Sequence, residues 1–175
     1  LDQVKVRVMT NPLLVESYQA FGATPTPLPW GEVYGALQTG IIQGQENPMF
    51  WNWSAKMYEV SEVITCLGHN NFTTAVMANL DFYDGLSDED QQAIGDAIDV
   101  AFDHIIAYQE GLHEESIAKI KEAKPEIVYN VLSDEQRQPF MKAGKQVEDR
   151  FIEMTGDSGK KILDQMKEDL ANVSQ

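Results

Sequence analysis

Residues 23–29, Ala-Thr-Pro-Thr-Pro-Leu-Pro, constrain the fold more than any other stretch. Proline locks φ, lacks a backbone N–H and pushes the residue before it away from helical angles. Three prolines at alternate positions, Pro25, Pro27 and Pro29, therefore force an extended path and forbid a helix. Upstream of that path, Val4, Val6 and Val8 alternate with Lys5, Arg7 and Met9, the period of a strand with one apolar face. Asn11-Pro12 stops the strand and starts a helix, because Asn is a good N-cap and Pro suits the first helical position. That helix is predicted over 12–21, with Gly22 just past its end. Downstream, Trp30, Val33, Tyr34 and Leu37 recur at helical spacing, and Gly40 closes the segment. Ile41-Ile42-Gln43-Gly44-Gln45 then reads as a short buried strand. Strands alternating with helices are the rhythm of an α/β domain.

Two further strands are predicted over 62–66 and 73–78, with the polar Gly68-His69-Asn70-Asn71 between them. From Ser87 the character changes. Ser87 caps, Asp88, Glu89 and Asp90 suit a first helical turn, and Ile94, Ile98, Ala101, Ile105, Tyr108 and Leu112 step by four and three. The pattern predicts one helix over 87–123, about 50 Å long and able to span two lobes. A strand over 126–131 follows, then a capping box, Ser133 with Gln136, opening a helix to about residue 155 that Pro139 should bend. A last helix is expected over 158–172. The chain thus divides into an α/β ligand-binding lobe (1–86), a lobe-spanning helix (87–123) and a strand with C-terminal helices (124–175).

Charge removes several classes of partner. With 28 acidic against 13 basic residues the net charge is −15, which repels nucleic acid and anionic membrane. No run of apolar residues approaches the roughly 18 of a membrane-spanning helix, so no membrane insertion is expected. A lone Cys66 leaves no intramolecular disulfide framework. A small anion needs only local positive charge. Of the three arginines, Arg7, Arg137 and Arg150, only Arg7 lies outside a charge-mixed helical segment.

Arg7 has two readings. It is either an exposed strand residue in a surface ion pair, or an anion anchor whose planar guanidinium holds a carboxylate through two parallel hydrogen bonds, beside the positive end of the helix from Pro12. Gly44-Gln45-Glu46-Asn47-Pro48 crowds polar side chains where a buried strand leaves the core, the place where loops carry ligand contacts. The alternative is a turn in which Asn47 caps the next helix. Trp30, Trp51 and Trp53 either floor a pocket or belong to the core. His69, His104 and His113 share no metal-ligand spacing, and neither a phosphate loop nor a nucleophile elbow is present. Neither a cofactor nor a metal site is expected, and the chain is not expected to be an enzyme; a hydrolase or lyase using Glu46 or His69 is the least supported class.

Arg7-Val8-Met9, the run from Phe21 through Gly40 with its Gly-Ala-Thr-Pro-Thr-Pro turn and Glu32-Val33-Tyr34-Gly35-Ala36-Leu37-Gln38 helix, and the Gly44–Pro48 box together resemble the dicarboxylate-type solute-binding proteins of tripartite ATP-independent (TRAP) transporters. Tyr58-Glu59-Val60 and Gly68-His69 also fit. The resemblance implies an α/β, two-lobed periplasmic-binding-protein-like fold, of which this chain would supply mostly the second lobe, the long linking helix and the C-terminal helices, the first lobe being built upstream of Leu1. It implies a periplasmic receptor that binds a small organic acid and delivers it to the transporter's membrane permease subunits, with a ligand-sensing protein for a signalling partner as the other reading. By the same resemblance Arg7 pairs with the substrate carboxylate, Asn47 hydrogen-bonds it, Trp30 packs over it and Thr10 faces the cleft. A chain starting at Leu1 would bare the apolar stripe of the 87–123 helix, so self-association as a homodimer is also expected.

Overall fold

A computed structural model describes residues 1–109 and 111–173. In chain order its elements are β1 (Lys5–Val8), α1 (Pro12–Ala20), β2 (Thr24–Pro27), a 3-10 turn at Trp30–Glu32, α2 (Val33–Gln38), β3 (Gly44–Gln45), α3 (Met49–Ser54), a second 3-10 turn at Met57–Val60, β4 (Val63–Cys66), α4 (Leu80–Asp84), α5 (Asp88–Gln109), α6 (Leu112–Ala123), β5 (Val128–Val131), α7 (Asp134–Gly144) and α8 (Gln146–Val173). They form two compact units that interleave along the chain: residues 1–46, 60–69 and 128–175 in one, residues 47–59 and 70–127 in the other. Among the described residues no helix is long and apolar enough to cross a membrane.

The first unit holds a three-stranded parallel sheet in the order β2-β1-β3 and a parallel pair, β4-β5. Register explains the alternate prolines. The N–H groups of Thr24 and Leu28 turn toward β1, donating to the carbonyls of Val4 and Val8, so the intervening Pro25 and Pro27 fall where an N–H would face away from it. Asn11 caps α1 by accepting from the N–H groups of Leu13 and Leu14, with Pro12 at the first helical position. Val6, Val8, Tyr18 and Ala23 make the core between sheet and helix, flanked by Val4, Leu14, Val15 and Phe21. Phe21 reaches Phe140 of α7 edge-to-face at 5.4 Å, and Arg150 of α8 pairs with Glu16 of α1 at 3.0 Å. At α7 the capping box of Ser133 and Gln136 is present.

In the second unit α3 packs on α6, burying Met49 and Asn52 against a face that includes Ser116, Ile117 and Ile120. Asn52 Nδ2 donates to the carbonyls of Asn47 and Pro48. Trp53 stacks on Tyr58 at 5.3 Å and carries Lys119 over its ring, which makes it a packing residue of this unit.

Three sequence expectations are corrected. The helix expected over 87–123 is two helices, α5 and α6. Gly111 between them sits at φ +79°, a left-handed conformation that ends the hydrogen-bond ladder although the apolar stripe continues past it. Residues 73–78 form no strand among those described, and Val76 and Met77 are exposed: β-branched composition makes a strand only where a neighbour completes the ladder. The helix expected from Ser133 to about residue 155 stops at Gly144 and restarts at Gln146. A break at Gly156, φ 64° and ψ −152°, then divides α8 close to the predicted boundary.

Candidate functional site

Arg7 lies on the central strand of the parallel sheet, paired in register with Thr26 and Gln45, and is 4% exposed. Burying a guanidinium costs several kcal/mol unless its charge and donors are met, so its surroundings matter. Nε donates to the carbonyl of Leu28 at 3.0 Å, and the guanidinium lies over the Trp30 ring, 5.7 Å from its centroid. Glu46 supplies the opposing charge. Trp30 follows β2, Glu46 follows β3 and Thr10 follows β1, so all gather beyond the carboxyl ends of parallel strands, where open α/β sheets bind their ligands.

A second group meets Glu46. His69, beyond the carboxyl end of β4, brings Nε2 to 3.8 Å from the Glu46 carboxylate and 3.0 Å from the hydroxyl of Tyr18 on α1. The ring stands edge-to-face against Tyr18 and Phe21, which fixes its orientation. Tyr18 is 5% exposed, and the side chains of His69 and Glu46 are 21% and 13% exposed. Burial dominates the titration of the cluster. It pushes Glu46 above the usual carboxylate range, partly offset by Arg7. It lowers His69, and it raises the Tyr18 phenol, with Glu46 adding to the rise. For Arg7 burial lowers the pKa while Glu46 raises it; the guanidinium stays charged at any ordinary pH.

The structure thus brings Arg7 and Trp30 into contact and leaves Thr10 exposed just past β1. Asn47 follows Glu46 in the chain but belongs to the second unit. The N-cap residue of α3 is Pro48, not Asn47. The surface-ion-pair reading of Arg7 fails on its burial. The start of α1 is less available to an anion than its sequence suggested, since Asn11 Oδ1 takes two of its N–H groups at 2.9 and 3.3 Å. Sequence reasoning missed Tyr18 and the joining of Glu46 to His69. The only local signal was a Tyr on the apolar face of a short helix. Cys66 places Sγ 2.9 Å from the Tyr129 hydroxyl on β5, and among the described residues no group of His, Cys, Asp and Glu could hold a metal ion.

A buried arginine with an aromatic face and a carboxylate opposing its charge thus lies at the carboxyl ends of parallel strands. The chain belongs to the bacterial extracellular solute-binding proteins of family 7 (DctP), whose family model matches residues 1–154. It is 67% identical over 171 residues to the ectoine/5-hydroxyectoine-binding periplasmic protein UehA of Ruegeria pomeroyi, covering 98% of this chain and 50% of that protein. It is 60% identical over 172 residues to the ectoine-binding periplasmic protein TeaA of Halomonas elongata, again covering 98% and 50%. The solved structure of the periplasmic ectoine-binding protein from the TeaABC TRAP transporter of Halomonas elongata superposes with a TM-score of 0.94 at 60% identity, over 98% of this chain and 56% of that one. The chain spans about half the length of the curated relatives it matches. The TRAP resemblance, the α/β binding-protein fold, the periplasmic location and the class of solute-binding protein rather than enzyme all stand on these matches.

Proposed function

We propose that the protein is the periplasmic receptor of a TRAP transporter, that its solute is ectoine or 5-hydroxyectoine, and that it hands that solute to the transporter's membrane permease subunits. The observation that carries the reading is the buried Arg7 with the carboxylate of Glu46 near enough to oppose its charge. Ectoine is a cyclic amidinium carboxylate with no net charge, and a site whose own two charges cancel suits a zwitterion better than a dianion. With Nε committed to Leu28, the Nη1/Nη2 edge of Arg7 offers the two parallel donors that a carboxylate accepts. Trp30 supplies an apolar face for the ring, and Thr10 and Asn47 are assigned as further hydrogen-bonding contacts. Ligand contacts that favour the closed receptor over the open one would couple capture to delivery.

Calorimetric titration of the full-length protein with ectoine, 5-hydroxyectoine and succinate tests the assignment. Strong heat from the first two and little from succinate is expected. Tight succinate binding with no response to either ectoine would overturn it.

A further inference from the structure

The later half of α8 lies beyond the residues that the family model matches, and its own packing fixes how it faces. Lys167 pairs with Glu148 across the break at Gly156. In a straight helix those two residues would stand about 28 Å apart, so the chain folds back at Gly156. Gly159 is buried and Leu163 half-buried, and a methyl added at Gly159 would run into Thr155 and Phe151 of the earlier half. The row Gly159, Leu163, Lys167 is therefore turned toward that earlier half.

The adjacent row, Ile162, Met166 and Leu170, is 59%, 55% and 64% exposed. At 100° per residue the three lie within about 80° of one another, an apolar stripe along about 12 Å of helix. The next row round is Lys161, Gln165 and Asp169, all exposed. Lys160 and Lys167 are engaged within the chain, with Asp164 and Glu148, whereas Lys161 makes no ion pair among the described residues. Asp169 accepts a hydrogen bond from Gln165 of its own helix, a neutral donor that leaves its charge unmatched. This row is basic at one end, neutral in the middle and acidic at the other.

Such a row complements its own reverse. With two copies antiparallel and the two-fold axis at Gln165, Lys161 of each stands level with Asp169 of the other. In that register Ile162 comes level with the gap between Met166 and Leu170 of the second copy, so the apolar side chains interdigitate. A parallel pair would instead set Lys161 against Lys161 and Asp169 against Asp169. We propose that the later half of α8 is an interface to a second copy of this protein, an antiparallel two-fold helix pair closed by the stripe of Ile162, Met166 and Leu170 and by Lys161 opposite Asp169. The contact is isologous, each copy offering the same patch. One helix from each copy contributes less than the roughly 800 Å² per partner of a standard interface, so the association depends on concentration. It uses a different face from the α5 stripe, where the sequence placed self-association.

Sedimentation velocity of the full-length protein, from about 10 µM to about 1 mM, reads the association. A sedimentation coefficient that climbs with concentration toward that of a dimer is expected. Met166→Glu should weaken the dimer at least about 10-fold with the melting temperature kept, since the side chain it replaces is exposed. Lys161→Glu and Asp169→Lys should each weaken it about 3- to 10-fold, and the two together should restore it, because the opposed charges are then exchanged. A monomer throughout the range overturns the proposal. So does a dimer that Met166→Glu leaves intact, which would place the contact on another face such as α5. A double exchange no tighter than either single variant overturns it as well. None of these readouts depends on ectoine, so the interface and the solute assignment fail or stand separately.

Discussion

Replacing Arg7 by lysine keeps the charge and removes the geometry, which makes it the sharpest test of the anchor. A lysine ammonium cannot reproduce the planar fork, so one of the two parallel bonds to a ligand carboxylate is lost together with the Nε donation to Leu28. A hydrogen bond involving a charged group contributes about 1.5–3 kcal/mol, so loss of the ligand bond alone corresponds to roughly a 10- to 150-fold rise in Kd. The stacking of the guanidinium over Trp30 is also lost, which places the expected effect in the upper part of that range. The fold should persist, because Glu46 still faces a cation. Calorimetry of Arg7→Lys against the unmutated protein reads the affinity, and a thermal melt confirms that both are folded. An unchanged Kd would remove Arg7 from the ligand and leave its burial without a binding purpose.

Three further outcomes are expected. Asn47→Ala should weaken solute binding by about 1–3 kcal/mol while leaving α3 intact, since Asn52 bonds to backbone carbonyls of Asn47 and Pro48; circular dichroism with calorimetry separates the two effects. Gly111→Ala should lower stability by about 1–2 kcal/mol in urea denaturation, because φ is +79° and the added methyl meets nothing within 4 Å, so the cost is conformational alone. The folded His69 titrates below its ordinary 6.5, so the folded chain binds fewer protons than the unfolded one between those values, and acidification through that window favours unfolding. Glu46, raised above 4.5, acts in the opposite sense and is common to wild type and variant. His69→Gln should therefore resist acid better than wild type below about pH 6.5 and match its pH dependence above it, as read by denaturant midpoints across pH.

What sequence revealed was what short-range chemistry decides. Asn11 and Pro12 start α1, Gly22 lies just past its end, and Ser133 with Gln136 opens α7, because each cap is satisfied within a few residues of itself. The Arg7 strand and the proline path could be read for the same reason. The helix over 87–123 failed because an apolar stripe says nothing of a left-handed Gly111, and the strand over 73–78 failed because composition cannot supply a neighbour. The candidate site was only half legible. Arg7 and Trp30 stood out by residue type, whereas Tyr18 meets His69 across 51 positions, a separation that only the β1–α1–β2 and β4 packing closes. The proposed solute left no mark in patterning at all and rests on what the relatives bind.

The alternate prolines of β2 also bear on how the protein behaves in a crowded compartment. Among the described residues β2 is an outer strand of its sheet, and a chain seeking to add itself there would find carbonyl acceptors but, at Pro25 and Pro27, no donors to answer its own carbonyls. Half of the zipper is missing by covalent structure, whatever the temperature or concentration. The same residues that dictate an extended path thereby prevent that path from templating further strands, so growth of aggregates through this side of the sheet is blocked. Pro25→Thr together with Pro27→Thr would keep the extended path while restoring both donors, and would open that side to intermolecular pairing.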